Sequence, residues 1–294
     1  MISSVTNTSV INATRYLNKS QSKLDTIYKR LSSGLRINSA KDDAAGLQIS
    51  NRLTSQIDGL KQGNKNAATG LAFSQTVEGA LDETTEMLQK IRTLANQAAT
   101  GTNTTAERTA IQSQVDQLCS EITRISCKTT FAGQKVLAGA GKGLVGADGK
   151  VTFQVGANAN DTISVSLSAG FSIAGISSDS KVGTTALIVH DGIKSFSVST
   201  AASAQSTLEN IDKFIASVDA SRGQLGAVQN RLESTISNQE NIVENETEAR
   251  SKIRDTDYAE EAANLTAQNI IQQMASAMLT QGNARGQIAL QLLQ

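Results

Sequence analysis

The sequence predicts a mainly α protein: a long antiparallel helical bundle with a coiled-coil core, and a small β region inserted between the two helical halves. Three observations carry that prediction. The 294-residue chain has no proline and is rich in Ala, Leu, Gln and Ser, so no helix need end or kink for want of an N–H. Aromatic residues make up 3% of it, with six Phe, three Tyr and no Trp, few rings for a thick core. Near both ends, apolar residues recur with a period of about 3.5, which marks a narrow coiled-coil seam rather than a broad globular face.

From the N-terminus, Val10, Ala13, Leu17, Leu24, Ile27 and Leu31 step by three and four, with Ser20 filling the gap. A helix carrying only that stripe cannot bury it alone and needs a partner. Gly34, Gly46, Gly59, Gly63 and Gly70 punctuate the next stretch, so a continuous helix is less secure there. Periodicity returns at Val77, Leu81, Leu88, Ile91, Ala95 and Ala98, and Gly101-Thr102-Asn103 breaks it. Thr104-Thr105-Ala106-Glu107 then fits a capping box. Ile111, Val115, Leu118, Ile122 and Ile125 mark the following helix, which the short turn should fold back as an antiparallel hairpin.

The character changes over residues 131–200. Five glycines from Gly139 to Gly149 crowd a stretch expected to be a flexible loop. Val151, Phe153, Val155 and Ile163, Val165, Leu167 alternate on either side of a 156–161 turn and read as paired strands. Short strands around Leu187–Val189 and Phe196–Val198 flank Asp191-Gly192, a hairpin signal. Heptads resume at Leu208, Ile211, Ile215, Val218, Arg222, Leu225, Gln229, Leu232, Ile236, Gln239 and Val243; the polar members weaken packing but fix register. Near the C-terminus Ile270, Met274 and Met278 share one side of a last helix.

Charge and chemistry narrow the function. Twenty-seven basic residues balance 27 acidic ones, which argues against a nucleic-acid partner, and no run approaches the length of a membrane span. The balance is not local: residues 1–60 carry eight basic and four acidic residues, residues 231–294 five and nine, so the ends are complementary. Met1–Thr6 lacks the basic start and apolar stretch of a cleavable secretion signal. His190 is the only histidine and reads as a turn or surface residue, so no His-based triad or zinc site forms within one chain. Gly139-Ala140-Gly141-Lys142-Gly143 lacks the Ser or Thr that a phosphate loop places after its lysine. No catalytic residue, metal ligand or cofactor is expected, and the chain is not expected to be an enzyme. Cys119 and Cys127 lie about 12 Å apart along a helix, beyond disulfide reach. Cys119 reads as a small buried hydrophobe, and Cys127 as a candidate exposed thiol for cross-linking between chains.

The run Leu31–Gly46, LSSGLRINSAKDDAAG, resembles the signature of bacterial flagellins. Gln75–Leu81, Phe153–Asn158, Leu225–Leu232 and Ile253–Ala259 resemble further family stretches in family order. The resemblance implies an inner core of terminal helices (1–44 with 255–294), an outer core (45–175 with 200–254) and a minimal variable insert at 176–199. It implies a structural subunit that assembles into the extracellular flagellar filament for swimming, secreted by type III export. Its partners are then further copies of itself, an export chaperone, the filament cap, hook-associated proteins and a host Toll-like receptor. A hook–filament junction protein and a secreted adhesin on the same scaffold are the alternatives. The expected subunit-packing seam is Val10, Leu17, Leu24, Ile27, Leu31, Ile270, Met274 and Met278. By resemblance, Gln89, Lys90, Arg92, Leu94 and Gln114 are receptor-recognition candidates; the family pattern has arginine where Lys90 stands and glutamate where Gln114 stands. Leu290, Leu292 and Leu293 are a candidate C-terminal sensor motif.

Overall fold

The computed structural model describes residues 8–168, 170–179, 187–190 and 193–291. In chain order the elements are α1 (Thr8–Ser33), α2 (Ala44–Ala99), α3 (Thr105–Lys128), β1 (Thr130–Phe131), β2 (Gln134–Lys135), β3 (Lys150–Gln154) and β4 (Thr162–Ser166). They continue with α4 (Ile173–Asp179), β5 (Leu187–His190), β6 (Ile193–Phe196), α5 (Ala201–Arg254) and α6 (Tyr258–Gln291). The strands form three separate two-stranded antiparallel ribbons, β1–β2, β3–β4 and β5–β6. The expected fold class, helical halves around a small β region, is the observed one. The chain divides into two compact units, Met1–Ile57 with Glu244–Gln294, and Asp58–Val243.

The larger unit holds the main core. Val77, Leu81, Leu88, Ile91, Ala95 and Ala98 of α2 are fully buried, and Ile111, Val115, Cys119 and Ile122 of α3 meet them in one cluster. The turn between these helices has the expected capping box: the Thr104 hydroxyl accepts from the Glu107 N–H (3.3 Å), and the Glu107 carboxylate accepts from the Thr104 N–H (2.6 Å). The Thr104 N–H first, and then the Thr104 hydroxyl, which donates to the same carboxylate at 2.9 Å, hold the Glu107 carboxyl below its ordinary range. On α5 the heptad is lopsided: Ile211, Val218, Leu225, Leu232 and Gln239 are buried, while Ile215, Arg222, Gln229, Ile236 and Val243 are half-buried. Arg222 pairs with Asp82 at 2.8 Å and Gln229 donates to Glu78 at 2.6 Å, so α5 runs antiparallel to α2. All six phenylalanines belong to this unit and all three tyrosines to the other. The shortage of rings is therefore local; Phe196 and Phe214 meet edge-on at 5.0 Å inside the main core.

Three sequence expectations need correction, and two short features have no sequence counterpart. The glycine-punctuated stretch is one continuous helix from Ala44, and the glycines are sites of close approach. A Cβ on Gly63 would overlap the Val155 carbonyl oxygen, one on Gly59 would sit 2.8 Å from the Ala157 Cβ, and one on Gly70 3.1 Å from the Phe153 ring. The β3–β4 hairpin, in register with Val151 opposite Val165 and Phe153 opposite Ile163, lies directly on this helix face. The glycine-crowded stretch is a loop tied down by hydrogen bonds and burial. Leu144 donates its N–H to Lys135 O at 2.9 Å, Gly141 to Gly146 O at 3.0 Å, and Val136, Leu137 and Val145 are buried. The strand expected at Phe196–Val198 ends at Phe196, and Val198 instead donates its N–H to the Gln112 side chain at 2.6 Å. Finally, β1–β2 and α4 carry too few residues to show a period, yet α4 buries Ile173 and Ile176. The expected Asp191-Gly192 turn lies outside the described residues; the strands beside it pair as His190 with Ile193 and Leu187 with Phe196.

Candidate assembly surface

In the smaller unit, two non-helical joints are tied together. Residues 34–43 link α1 to α2, and 255–257 link α5 to α6. Leu35 and Asp255 form an antiparallel bridge, Arg36 N donates to Arg254 O at 2.7 Å, and Thr256 N donates to Gly34 O at 3.0 Å. Gly34 takes φ +71, and a Cβ there would meet the Tyr258 hydroxyl at 2.9 Å. Aspartates shape both joints. Asp43 Oδ1 accepts from the Gly46 N–H at 2.9 Å and caps α2; Asp257 Oδ1 accepts from the Ala259 N–H at 2.8 Å and caps α6. Asp42 gathers the Ser39 N–H at 2.8 Å and the Asn38 N–H at 3.1 Å, and these bonds, Ser39's first, hold its carboxyl below the ordinary range. The motifs Leu31–Gly46 and Ile253–Ala259 are thus two halves of one hydrogen-bonded clasp.

Above the clasp α1 pairs with α6. Leu24 and Ile27 are buried, and Val10, Ala13, Leu17 and Leu31 are half-buried with Ser20 buried between them, so every expected seam position of α1 is one that its own chain covers. The facing seam of α6 runs through Glu261, Leu265, Gln268, Gln272, Ala275, Leu279 and Gly282, buried or half-buried at steps of four and three. Apart from Leu265 and Leu279 it is small and polar. The Ser20 hydroxyl donates to Gln268 O at 3.2 Å, Gln272 donates to Gln21 at 2.8 Å, and a Cβ on Gly282 would meet Val10 Cγ2 at 2.8 Å. Arg30 and the buried Glu261 lie 3.5 Å apart, the one ion pair between the oppositely charged ends among the described residues. Sequence periodicity missed this face because most of its members are not large hydrophobes.

Ile270, Met274 and Met278 point the other way, 55%, 61% and 64% exposed, with Ile271 beside them. Ile11, Tyr16 and Tyr28 are likewise exposed on α1. The sequence signal for them was a second set of large apolar residues off the first seam. Leu290 lies in the last turns of α6, and Leu292 and Leu293 lie outside the described residues.

In the larger unit, Gln89, Lys90, Arg92 and Gln114 are exposed and Leu94 is half-buried. Lys90 and Leu94 of α2 line a shallow groove of about 570 Å³ with Gln114 and Leu118 of α3. Lys90 lies 3.9 Å from Glu86, and Arg92 pairs with Asp212 of α5 at 2.8 Å. Cys119 is buried, which pushes its thiol up to about 12, whereas Cys127 is exposed.

Residues 5–142 match the profile of the bacterial flagellin N-terminal helical region, and residues 208–293 that of the C-terminal helical region. A flagellin of Bacillus subtilis is 40% identical over 298 positions, with 98% of each chain covered. The chain belongs to the bacterial flagellin family. Flagellin B of Vibrio cholerae is 33% identical over an alignment of 376 positions covering 98% of both chains, which makes this flagellin a short form. The solved structure of a protein described as a flagellar hook-associated protein from Vibrio parahaemolyticus superposes with a TM-score of 0.56. It covers 73% of this chain and all of that one, and at 14% identity it speaks to the fold alone. As a flagellin the chain is a structural subunit of the bacterial flagellar filament, and the family forms that filament outside the cell. Among the described residues no group of three His, Cys, Asp or Glu could hold a metal ion, and no helix is long and apolar enough to cross a membrane.

Proposed function

We propose that this flagellin assembles through two different faces of its terminal helices. The α1 seam of Val10, Leu17, Leu24, Ile27 and Leu31 zips α1 to α6, and further copies of the chain cover the outward stripe of Ile270, Met274 and Met278. One observation supports this above all: α6 meets its own partner mostly through small and polar residues and turns Ile270, Met274 and Met278 outward. Soluble chains rarely leave such a row uncovered, and a repeated contact whose rotation does not close builds a helical polymer. Residues 1–44 with 255–294 form the filament's inner core, 45–175 with 200–254 its outer core, and 176–199 the minimal insert. Ile270→Asp with Met274→Asp tests the reading. The double variant is expected to give no filaments on seeds by electron microscopy, with unchanged melting of the larger unit; normal filaments would refute it.

The remaining partners follow from family membership. The chain leaves the cell by type III export with its chaperone, meets the cap and hook-associated proteins, and offers Leu290, Leu292 and Leu293 to a C-terminal sensor. Gln89, Lys90, Arg92, Leu94 and Gln114 form the face for a host Toll-like receptor. Lysine lacks the planar fork of arginine and glutamine lacks a charge. Lys90→Arg with Gln114→Glu is expected to raise signalling by purified monomer about tenfold, about 1.4 kcal/mol. Equal dose–response curves in a reporter cell line would reject that assignment.

A further inference from the structure

We propose that Met274 and Met278 are a methionine-oxidation site, at which oxygen transfer to the thioether sulfurs makes the outward stripe of α6 polar and stops assembly. The inference rests on the reading that other copies cover this stripe.

The chain has four methionines. Met87 is 7% exposed inside the core of the larger unit, and Met1 lies outside the described residues. Met274 and Met278 are 61% and 64% exposed and stand four residues apart, one above the other on the same helix face. Ile270 and Ile271 complete the patch, both exposed. Residues 262–284 contain no charged side chain, so the nearest charges along the helix are Glu261 and Arg285, and a sulfoxide would make an otherwise uncharged stretch strongly polar. Among the described methionines, oxidants that reach thioethers from solvent therefore meet these two first.

The step is balanced. A sulfur lone pair attacks one oxygen of hydrogen peroxide, an S–O bond forms as the O–O bond breaks, and the departing hydroxide takes the proton of the new S–OH group and leaves as water. Sulfur is oxidised by two electrons and peroxide is reduced by two. The thioether becomes a sulfoxide, a strong hydrogen-bond acceptor whose burial without a donor is unfavourable. Two thiols of a methionine sulfoxide reductase system reverse it, yielding the thioether, a disulfide and water. A monomer awaiting assembly is open to the reaction, whereas a covered stripe in a filament is shielded from it.

The test uses the full chain, as monomer and as preformed filament, treated with dilute hydrogen peroxide and followed by peptide mass spectrometry for the gain of one oxygen. The expected result is rapid oxidation of Met274 and Met278 in monomer and slow oxidation in filament. The oxidised monomer should show a critical concentration for seeded polymerisation raised about tenfold or more, equivalent to about 1.4 kcal/mol or more, and reductase treatment should restore it. Treated Met274→Leu/Met278→Leu chain, with both cysteines unchanged, should polymerise like its untreated form. Equal oxidation rates in monomer and filament would refute the covered stripe itself. Protection in the filament combined with normal polymerisation of the oxidised monomer would overturn the oxidation site alone. So would failure of the reductase to restore assembly, which remains decisive if the leucine variant does not polymerise.

Discussion

Gly63 and Gly79 occupy the same helix and call for opposite outcomes. Replacing glycine by alanine in a helix ordinarily stabilises by about 0.5–1 kcal/mol, because the unfolded chain has less freedom to lose. Gly79 is exposed with nothing within 4 Å of a built Cβ, so Gly79→Ala is expected to raise the stability of the larger unit by that amount. A Cβ on Gly63 would overlap the Val155 carbonyl, and backbone cannot swing aside as a side-chain tip can. Gly63→Ala is therefore expected to destabilise by about 1–3 kcal/mol and to loosen the β3–β4 hairpin; urea unfolding of both variants decides. The cysteines divide in the same way. Cys127 should react with a maleimide in the native chain, while Cys119, buried with its thiol pushed up to about 12, should react only on unfolding. A labelled Cys119 in folded protein would contradict the packing described.

Elements were legible in proportion to how far their signals were local. The capping box needs four consecutive residues and was readable from them. Its carboxylate, held below the ordinary range, gives a stabilisation that is present above that range and is lost as pH falls through the lowered value. Thr104→Ala should cost about 1 kcal/mol at neutral pH, and the gap from wild type in urea unfolding should shrink in acid. A gap independent of pH would mean that the Thr104 hydroxyl does not support the Glu107 carboxylate. The seam of α1 was equally plain, because large apolar residues mark it. The facing seam of α6 was not, because Gln268, Gln272, Ala275 and Gly282 are recognisable only once Ser20, Gln21 and Val10 stand opposite them. The glycines of α2 misled for the same reason: a glycine that admits another backbone looks, in sequence, like one that breaks a helix. The clasp of residues 34–43 with 255–257 joins segments more than 200 positions apart, and no local rule pairs them.

For the whole molecule, the proposed division of labour between the two faces of the terminal helices would separate folding from assembly. Leu24 is 4% exposed and sits in the seam between α1 and α6, so Leu24→Asp leaves a charge without a partner in a desolvated contact, at a cost of several kcal/mol. That change is expected to unpair the terminal helices in the monomer, lowering helical circular dichroism and opening their amides to hydrogen exchange, and to abolish filaments as a consequence. Ile270 is 55% exposed, and an aspartate there is already hydrated in the monomer. Ile270→Asp, alone or with Met274→Asp, is expected to leave helicity and amide protection of the smaller unit unchanged and to remove only polymerisation. In both variants the larger unit, whose aromatic core lies within Asp58–Val243, should melt as in the wild type. The pair of variants discriminates where either alone does not. If Ile270→Asp unfolds the terminal helices, the stripe is a folding face. If Leu24→Asp preserves monomer helicity yet blocks filaments, the α1 seam is held by other copies and not by α6.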